Sequence, residues 1–392
     1  MNTINTTEAM NTMMTALHRA AGALLLGVAL APTASAATVY TGDVIQGKRV
    51  ISQLDVADLE PGKVHKFYFQ GVQMATGQHW YVPVVVTKGA MPGKRVLLIS
   101  GVHGDELSPV DAVQRTMAAL DPAQMSGTVT AVYDISRPAK EAVTRMWPTP
   151  QWGSQLIDLN RVWPGNESGS NAPTRHAGLV FNRLLKPNAD IALDYHTAAT
   201  AGDFTAFIFA KMAKPEIRAM AELFPIEQIK SDPGYAGTLE TSLVTAGIPA
   251  LTIEIGGPRS FDRRKIDMFV EGGLNVLKQQ GVIAGPMGRT AKDAGTFRGD
   301  AFHTVRATHG GYLELKVDLR SKVNAGQVVA VQRNSFGEVI KEYKTEVAGE
   351  ISTLQRDALI EPGTRVVQVL YDSPDPKCDG DGCPEEGADY GD

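Results

Sequence analysis

Cysteine is nearly absent from this chain of 392 residues: there are two, Cys378 and Cys383, both in a tail rich in Gly, Asp and Pro. That excludes a disulfide-built scaffold and a cysteine-rich metal module. A bond between the pair would close a very short loop and stabilise little of the fold, so residues 373–392 read as a disordered tail. No lysine- or arginine-rich run occurs and the formal net charge is only -5, so neither nucleic acid nor an anionic membrane surface is an expected partner. The chain also lacks an apolar run of the ~20 residues that a membrane-spanning helix needs. Its apolar stretch from Ala20 to Leu30 is too short. His18 and Arg19 precede it, and Pro32 and Ala34-Ser35-Ala36 follow, a small-residue cleavage pattern before Ala37. Residues 1–36 therefore read as a secretory signal peptide. The mature protein is expected to be exported, to a bacterial periplasm, with no transmembrane anchor after cleavage.

What is present suits a large core and a smaller accompanying unit: 43% of residues are hydrophobic and 21% charged. Residues 37 to about 90 carry β-rich runs, Val64 to Phe69 and Trp80 to Val86, broken by Gly71 and Gly77. From Gly93 strand and helix signals alternate: Arg95 to Ser100, then a helix from Pro109 to Leu120 capped by Ser108, then Gly127 to Ile135. An irregular segment, 136–172, dense in proline and tryptophan, follows. Further helices are expected at Ala177 to Leu185, near Pro215, near Leu239 and from Asp262 to Gln279, with strands at Ile191 to His196, Ala206 to Phe209 and Ala250 to Ile255. This alternation predicts an α/β unit over 37–290, built on a mixed, largely parallel sheet flanked by helices. Residues 296–372 change character. His309 to Leu313 with Val323 to Val328 is echoed by Ala348 to Ile351 with Ile360 to Val366, a duplication of short strands. It resembles the β barrel-sandwich of biotinyl and lipoyl carrier domains. The hairpin Asn334 to Glu338 has no lysine, so no attached cofactor is expected.

Four short stretches carry possible chemistry. Gly101-Val102-His103-Gly104-Asp105-Glu106 follows a strand and precedes a helix, where open α/β sheets bind ligands. Its His-x-x-Glu could grip one zinc ion. A chance His-x-x-Glu arises roughly once in two or three chains of this size, so the pair alone decides nothing. Ile191 to Thr197 is an apolar strand ending on His196, with Asp194 on the same face. His196 is either a third metal ligand or a hydrogen-bonded core histidine. Ala250 to Gly257 carries Glu254 within an apolar strand, either as a general base beside a metal-activated water or as a structural carboxylate paired with an arginine. Asp158-Leu159-Asn160-Arg161 offers an amide and a guanidinium side by side, a clamp for a carboxylate or simply a salt-bridged loop.

The set GVHGDE, DLNRVWPG, LDYHT and TIEIGG, in that order, resembles the succinylglutamate desuccinylase and aspartoacylase family, part of the wider zinc-carboxypeptidase superfamily. The resemblance covers most of the chain after residue 36. It implies His103, Glu106 and His196 as ligands of one Zn2+ per chain, Glu254 as catalytic base, and Asn160 and Arg161 as substrate-binding residues. Asp158 would orient the first zinc histidine. Arg145 would stabilise the oxyanion, with Arg137 as its competitor, and Tyr235 would contact substrate. The implied function is hydrolysis of a small anionic amide, an N-acyl amino acid. A carboxypeptidase for short, possibly cell-wall, peptides and a non-catalytic binding protein are the rival readings.

Overall fold

The computed structural model describes residues 37–150, 153–378, 380, 382 and 383. Residues 1–36, read above as a signal peptide, lie outside the described residues. A sheet of eleven strands forms the backbone of the protein: β1 (Val39–Ile45), β2 (Lys48–Gln53), β3 (Lys63–Gln73), β4 (His79–Lys88), β5 (Met91–Ser100), β6 (Ser126–Val132), β7 (Ile191–His196), β8 (Ala206–Ala210), β9 (Gln228–Ser231), β10 (Ala250–Ile255) and β11 (Phe297–Gly299). Their spatial order is β1-β2-β3-β4-β6-β5-β7-β10-β8-β9-β11. The central run β6-β5-β7-β10 is parallel, whereas β4 and β8 run against their neighbours on either side of it.

Strand parity sorts the side chains into two cores. Leu193, Tyr195, Leu251, Ile253 and Ile208 face one way, against α1 (Ser108–Ala118) and α4 (Arg263–Gln279). Ala192 and Ala250 face the other, against α2 (Ala172–Val180) and α3 (Leu239–Thr245). Asp262 caps α4 by accepting from the Lys265 amide, and Asn171 caps α2 by accepting from Thr174. The expected cap of α1 differs: Leu107 occupies that position without a side-chain bond, and the Ser108 hydroxyl donates to Ser260 O instead. The segment 136–172 holds more regular structure than its composition suggests, a helix Arg137–Ala142 and a hairpin of Trp147–Thr149 with Gln155–Ile157.

The C-terminal region forms two antiparallel sheets around one core that includes Val305, Val329, Ile351 and Val367. It is stitched into the larger unit rather than hung from it. β11 lies in the segment assigned above to the small domain, yet it pairs with β9 in the large sheet. Gly202–Phe204, from the large unit, pairs with Gly349–Gln355 of the small one. In the described part of the tail Cys378 and Cys383 are disulfide-bonded, and the Cys383 amide donates to Asp300 O.

Candidate metal and substrate site

The loop after β5 can turn tightly because of two glycines. Gly101 has φ +76 and sits where a Cβ would stand 2.6 Å from the Asp134 backbone; at Gly104 a Cβ would meet the Ala139 carbonyl at 2.2 Å. The close approach buries His103 and Glu106 at the carboxyl end of the sheet. β7 delivers His196 to the same point.

Three donor atoms converge there. His103 Nδ1 lies 2.7 Å from Glu106 Oε1, His196 Nδ1 lies 3.0 Å from Glu106 Oε2, and the two Nδ1 atoms are 3.2 Å apart. Ligand atoms arranged tetrahedrally around zinc at its usual bond lengths stand about 3.3 Å apart, so the set fits such an ion with little adjustment. The far side of each ring meets a carboxylate. His103 Nε2 donates to Asp158 Oδ1 at 3.0 Å, and Asp194 Oδ2 lies 3.1 Å from His196 Nε2, close enough for charge pairing but off the N–H axis. Such partners hold the proton on Nε2 and leave the Nδ1 lone pair for a cation. Burial alone would raise the Glu106 carboxyl, but His103 and His196 hold it well below the usual carboxylate range. Burial alone would lower His196, yet Asp194 and Glu106 carry it well above the ordinary imidazole value. The cluster attracts positive charge, and its two imidazoles and one carboxylate suit a divalent ion of the zinc type.

Register brings Glu254 beside this cluster. β10 pairs with β7 so that Glu254 stands opposite His196 and Thr252 opposite Asp194. Glu254 is 7% exposed and its Oε2 has no hydrogen-bond partner among the described residues. Burial pushes its carboxyl well above the ordinary range; His196 pulls it back, Glu106 pushes further, and Arg145 and Asp194 act in opposite senses behind them.

Asp158 links the donor cluster to the Asn160–Arg161 pair. It caps the short turn Leu159–Arg161 by accepting from the Asn160 amide at 2.7 Å, the same oxygen that receives His103 Nε2. Its other oxygen takes Arg145 Nη2 at 3.2 Å. Arg145 Nη1 reaches Glu106 Oε1 at 3.3 Å, which puts this guanidinium at the rim of the donor set. The competing Arg137 is elsewhere: it bonds Glu141 at 2.6 Å and lines no part of the cavity. Asn160 is anchored through Oδ1, which accepts from the Leu239 amide at 2.9 Å, so its Nδ2 is the atom left for a ligand. Tyr235 also lines the cavity, with Arg161 Cζ 5.4 Å from its ring centre.

All nine residues singled out from the sequence adjoin one cleft of about 730 Å³; Asp158 stands behind its wall and the other eight line it. Sequence reasoning missed its far wall. Phe209, Asp232, Glu240 and Thr252 come from the large unit, and Phe302, Arg365 and Gln368 from the C-terminal sheets. Strand parity could have pointed to Phe209 and Thr252, since both share the face of Glu254. Nothing local in the sequence marks the C-terminal residues. Three other histidines lie outside the cleft: His65 bonds Glu60 O, His79 bonds Gly71 O, and His176, lowered by burial to about 4, bonds Ile135 O.

Residues 92–279 match the model of the succinylglutamate desuccinylase/aspartoacylase catalytic domain. Among characterised sequences, the N-alpha-acetyl-L-2,4-diaminobutyric acid deacetylase of Halomonas elongata is 27% identical over 299 residues, spanning 74% of this chain and 85% of that protein. The product-bound structure of the Ectoine utilization protein EutE (DoeB) from Ruegeria pomeroyi superposes with a TM-score of 0.71 at 24% identity, over 82% of this chain and 99% of the other. A succinylglutamate desuccinylase/aspartoacylase structure from Rhodobacter sphaeroides gives a TM-score of 0.69 at 25% identity, over 82% and 100%. Domain match, sequence relatives and mixed α/β architecture agree, and residues 92–279 form a catalytic domain of the succinylglutamate desuccinylase/aspartoacylase family.

Proposed function

We propose that this protein is a zinc-dependent deacylase that hydrolyses the amide bond of an N-acylated amino acid. The observation that carries the reading is the meeting of His103 Nδ1, His196 Nδ1 and Glu106 with the unpartnered Oε2 of Glu254 in one buried cleft. The family relatives, which include a deacetylase of an N-acetylated diamino acid, support the same chemistry. A divalent ion held by the three donors would supply Lewis acidity, polarising the scissile carbonyl and lowering the pKa of water.

The chain's own residues do the rest. Glu254 takes the proton of the attacking water on Oε2 and returns it to the departing amine; a carboxyl raised by burial keeps that proton between the two transfers. Arg145, locked by Glu106 and Asp158, offers a fixed guanidinium to the oxygen that gains charge. Asn160 Nδ2 and Arg161 bind the substrate carboxylate. Phe302, Arg365 and Gln368 close the far side and limit the water that reaches the reacting bond.

The experiment is metal analysis of the purified protein joined to an N-acyl amino acid screen, with Glu254→Gln alongside. About one zinc per chain, amino acid release, and loss of that release in the variant are expected. Full activity in the variant would remove Glu254 as base, and release of C-terminal residues from short peptides without deacylation would favour the carboxypeptidase reading. We also propose export, supported by the pattern of residues 18–36; the chain recovered from the cell envelope should begin at Ala37, and an intact Met1 terminus there would contradict it.

A further inference from the structure

A second chamber, of about 920 Å³, adjoins the cleft, and hydrolysis assigns it no task. It lies between the loop after β7 and the C-terminal sheets, and it shares Ala199, Phe204 and Arg365 with the cleft. None of the three metal donors lines it, nor do Glu254, Asn160, Arg161 or any residue of α3. Its own wall is rich in hydrogen-bonding groups: Thr200, Thr353, Gln355 and Thr364, with Arg306 and Glu361 supplying one charge of each sign. The neck between the two spaces is held from three sides. Thr200 Oγ1 donates at 2.6 Å to Oδ2 of Asp105, which is fully buried in the loop of the metal donors. The Ala198 amide donates to Gly256 O at 2.8 Å, two residues beyond Glu254, and the Arg356 amide donates to Ala201 O at 2.7 Å. Ala201 has φ +70, a costly conformation for alanine that persists only where the surroundings impose it.

The two halves of an N-acyl amino acid part at the scissile bond. Asn160 is tied to the Leu239 amide and Arg161 stands over the Tyr235 ring, so the amino acid half belongs with the loop before α3. The acyl half leaves the donors on the side that carries no part of that clamp, past Ala199 and Phe204. The cleft alone, at about 730 Å³, falls within the roughly 300–1,000 Å³ that houses a drug-sized ligand, so an acetylated amino acid needs no second chamber. We infer that the chamber receives the outer part of the substrate's acyl group, and that the preferred acyl groups are medium-length, uncharged chains bearing an oxygen that hydrogen-bonds to its wall. The inference rests on the deacylase reading for its choice of substrate. A charged chain end would meet Arg306 and Glu361 together and gain little over a neutral one.

The test compares N-acetyl-, N-succinyl-, N-hexanoyl- and N-(6-hydroxyhexanoyl)-L-alanine on the zinc-loaded protein and on Thr364→Trp. Thr364 is partly exposed and lines the chamber but not the cleft, so an indole there fills the chamber and leaves the reacting groups alone. The hydroxyhexanoyl compound should exceed the acetyl one in kcat/KM by about 10-fold or more through its added methylenes. It should exceed the hexanoyl one by about 3- to 10-fold, the worth of one hydrogen bond. In Thr364→Trp the advantage over acetyl should shrink to within about threefold, less than one good hydrogen bond, while turnover of the acetyl compound holds. Preference for either short acyl group, equal turnover of all four, or an unchanged preference in the variant would overturn the assignment. Calorimetric titration of Glu254→Gln with the same compounds separates this idea from the deacylase reading. Tighter binding of the hydroxyhexanoyl compound, lost when Thr364→Trp is added, in a wild type that hydrolyses none of the four would sink deacylation and keep the chamber as a chain-binding site. Binding that ignores the chain would sink the chamber's role whatever the turnover.

Discussion

Glu240, a cleft-lining residue 8% exposed whose carboxylate accepts from the Thr241 hydroxyl, makes a prediction about stability that needs no substrate. Its carboxyl rises from the ordinary 4.5 to about 8 because burial penalises the ionised form. An acid whose pKa is higher in the folded than in the unfolded chain binds more protons when folded, so the fold loses stability as pH climbs from the unfolded value to the folded one. The window is thus roughly pH 4.5 to 8. At about 1.4 kcal/mol per pH unit, the folded protein carries a penalty of about 4 to 5 kcal/mol above that window which is absent below it. Relaxation and water entering the cleft would reduce the figure, and about 2 kcal/mol is a realistic lower bound. Glu240→Gln removes the titration while keeping an oxygen to accept from Thr241. Urea unfolding of ligand-free wild type and variant, in the same metal state, measures the difference. The two should match near pH 4, and the variant should be the more stable by about 2 to 5 kcal/mol at pH 9. A difference that stays constant with pH, or a variant less stable at pH 9, would refute the claim that Glu240 is a costly buried acid.

Other expectations bear on the metal end. Glu254→Gln should lower kcat by about 10²- to 10⁴-fold with zinc content unchanged by metal analysis, since Glu254 supplies none of the three donor atoms. Asp158→Asn should weaken zinc binding by about 10- to 100-fold in a chelator competition and also raise KM, because the same carboxylate caps the turn bearing Asn160 and Arg161. Asp194→Asn should weaken zinc comparably but leave KM closer to wild type, as Asp194 faces only His196 among the donors. Arg145→Lys should lower kcat by about 10²-fold or more because an ammonium cannot span Glu106 and Asp158 as the guanidinium does; activity equal to wild type would remove Arg145 from the reaction.

Much of the metal end was legible because its rules are short-range. A His and a Glu three apart in a glycine-bearing loop, and a strand whose alternation puts Asp194 and His196 on one face, depend on backbone geometry over a few residues. Buried strands also declare themselves by composition, which is why Glu254 stood out within an apolar run. The choice between Arg145 and Arg137 was not of this kind. Both lie in a segment rich in proline and tryptophan, and the outcome rests on Asp158, which ties Arg145 to the cluster while Arg137 pairs locally with Glu141. The pairing of β11 was illegible for a similar reason: β11 is three residues long and its partner β9 is more than sixty residues away, so no local pattern assigns it to the large sheet.

By itself, then, the amino-acid sequence determined the α/β character of the chain, the face on which each strand presents its polar residues, and the local pairs that can hold a cation. Periodicity and loop chemistry act over one turn or one strand, and they need no knowledge of the rest of the molecule. Only the tertiary structure decided the register that sets Glu254 opposite His196, the return of the C-terminal sheets to wall the cleft with Phe302, Arg365 and Gln368, and the burial of Glu240. Those are outcomes of long-range packing and of hydrogen-bond ladders between distant strands, where a residue's environment comes from partners its own neighbourhood does not specify.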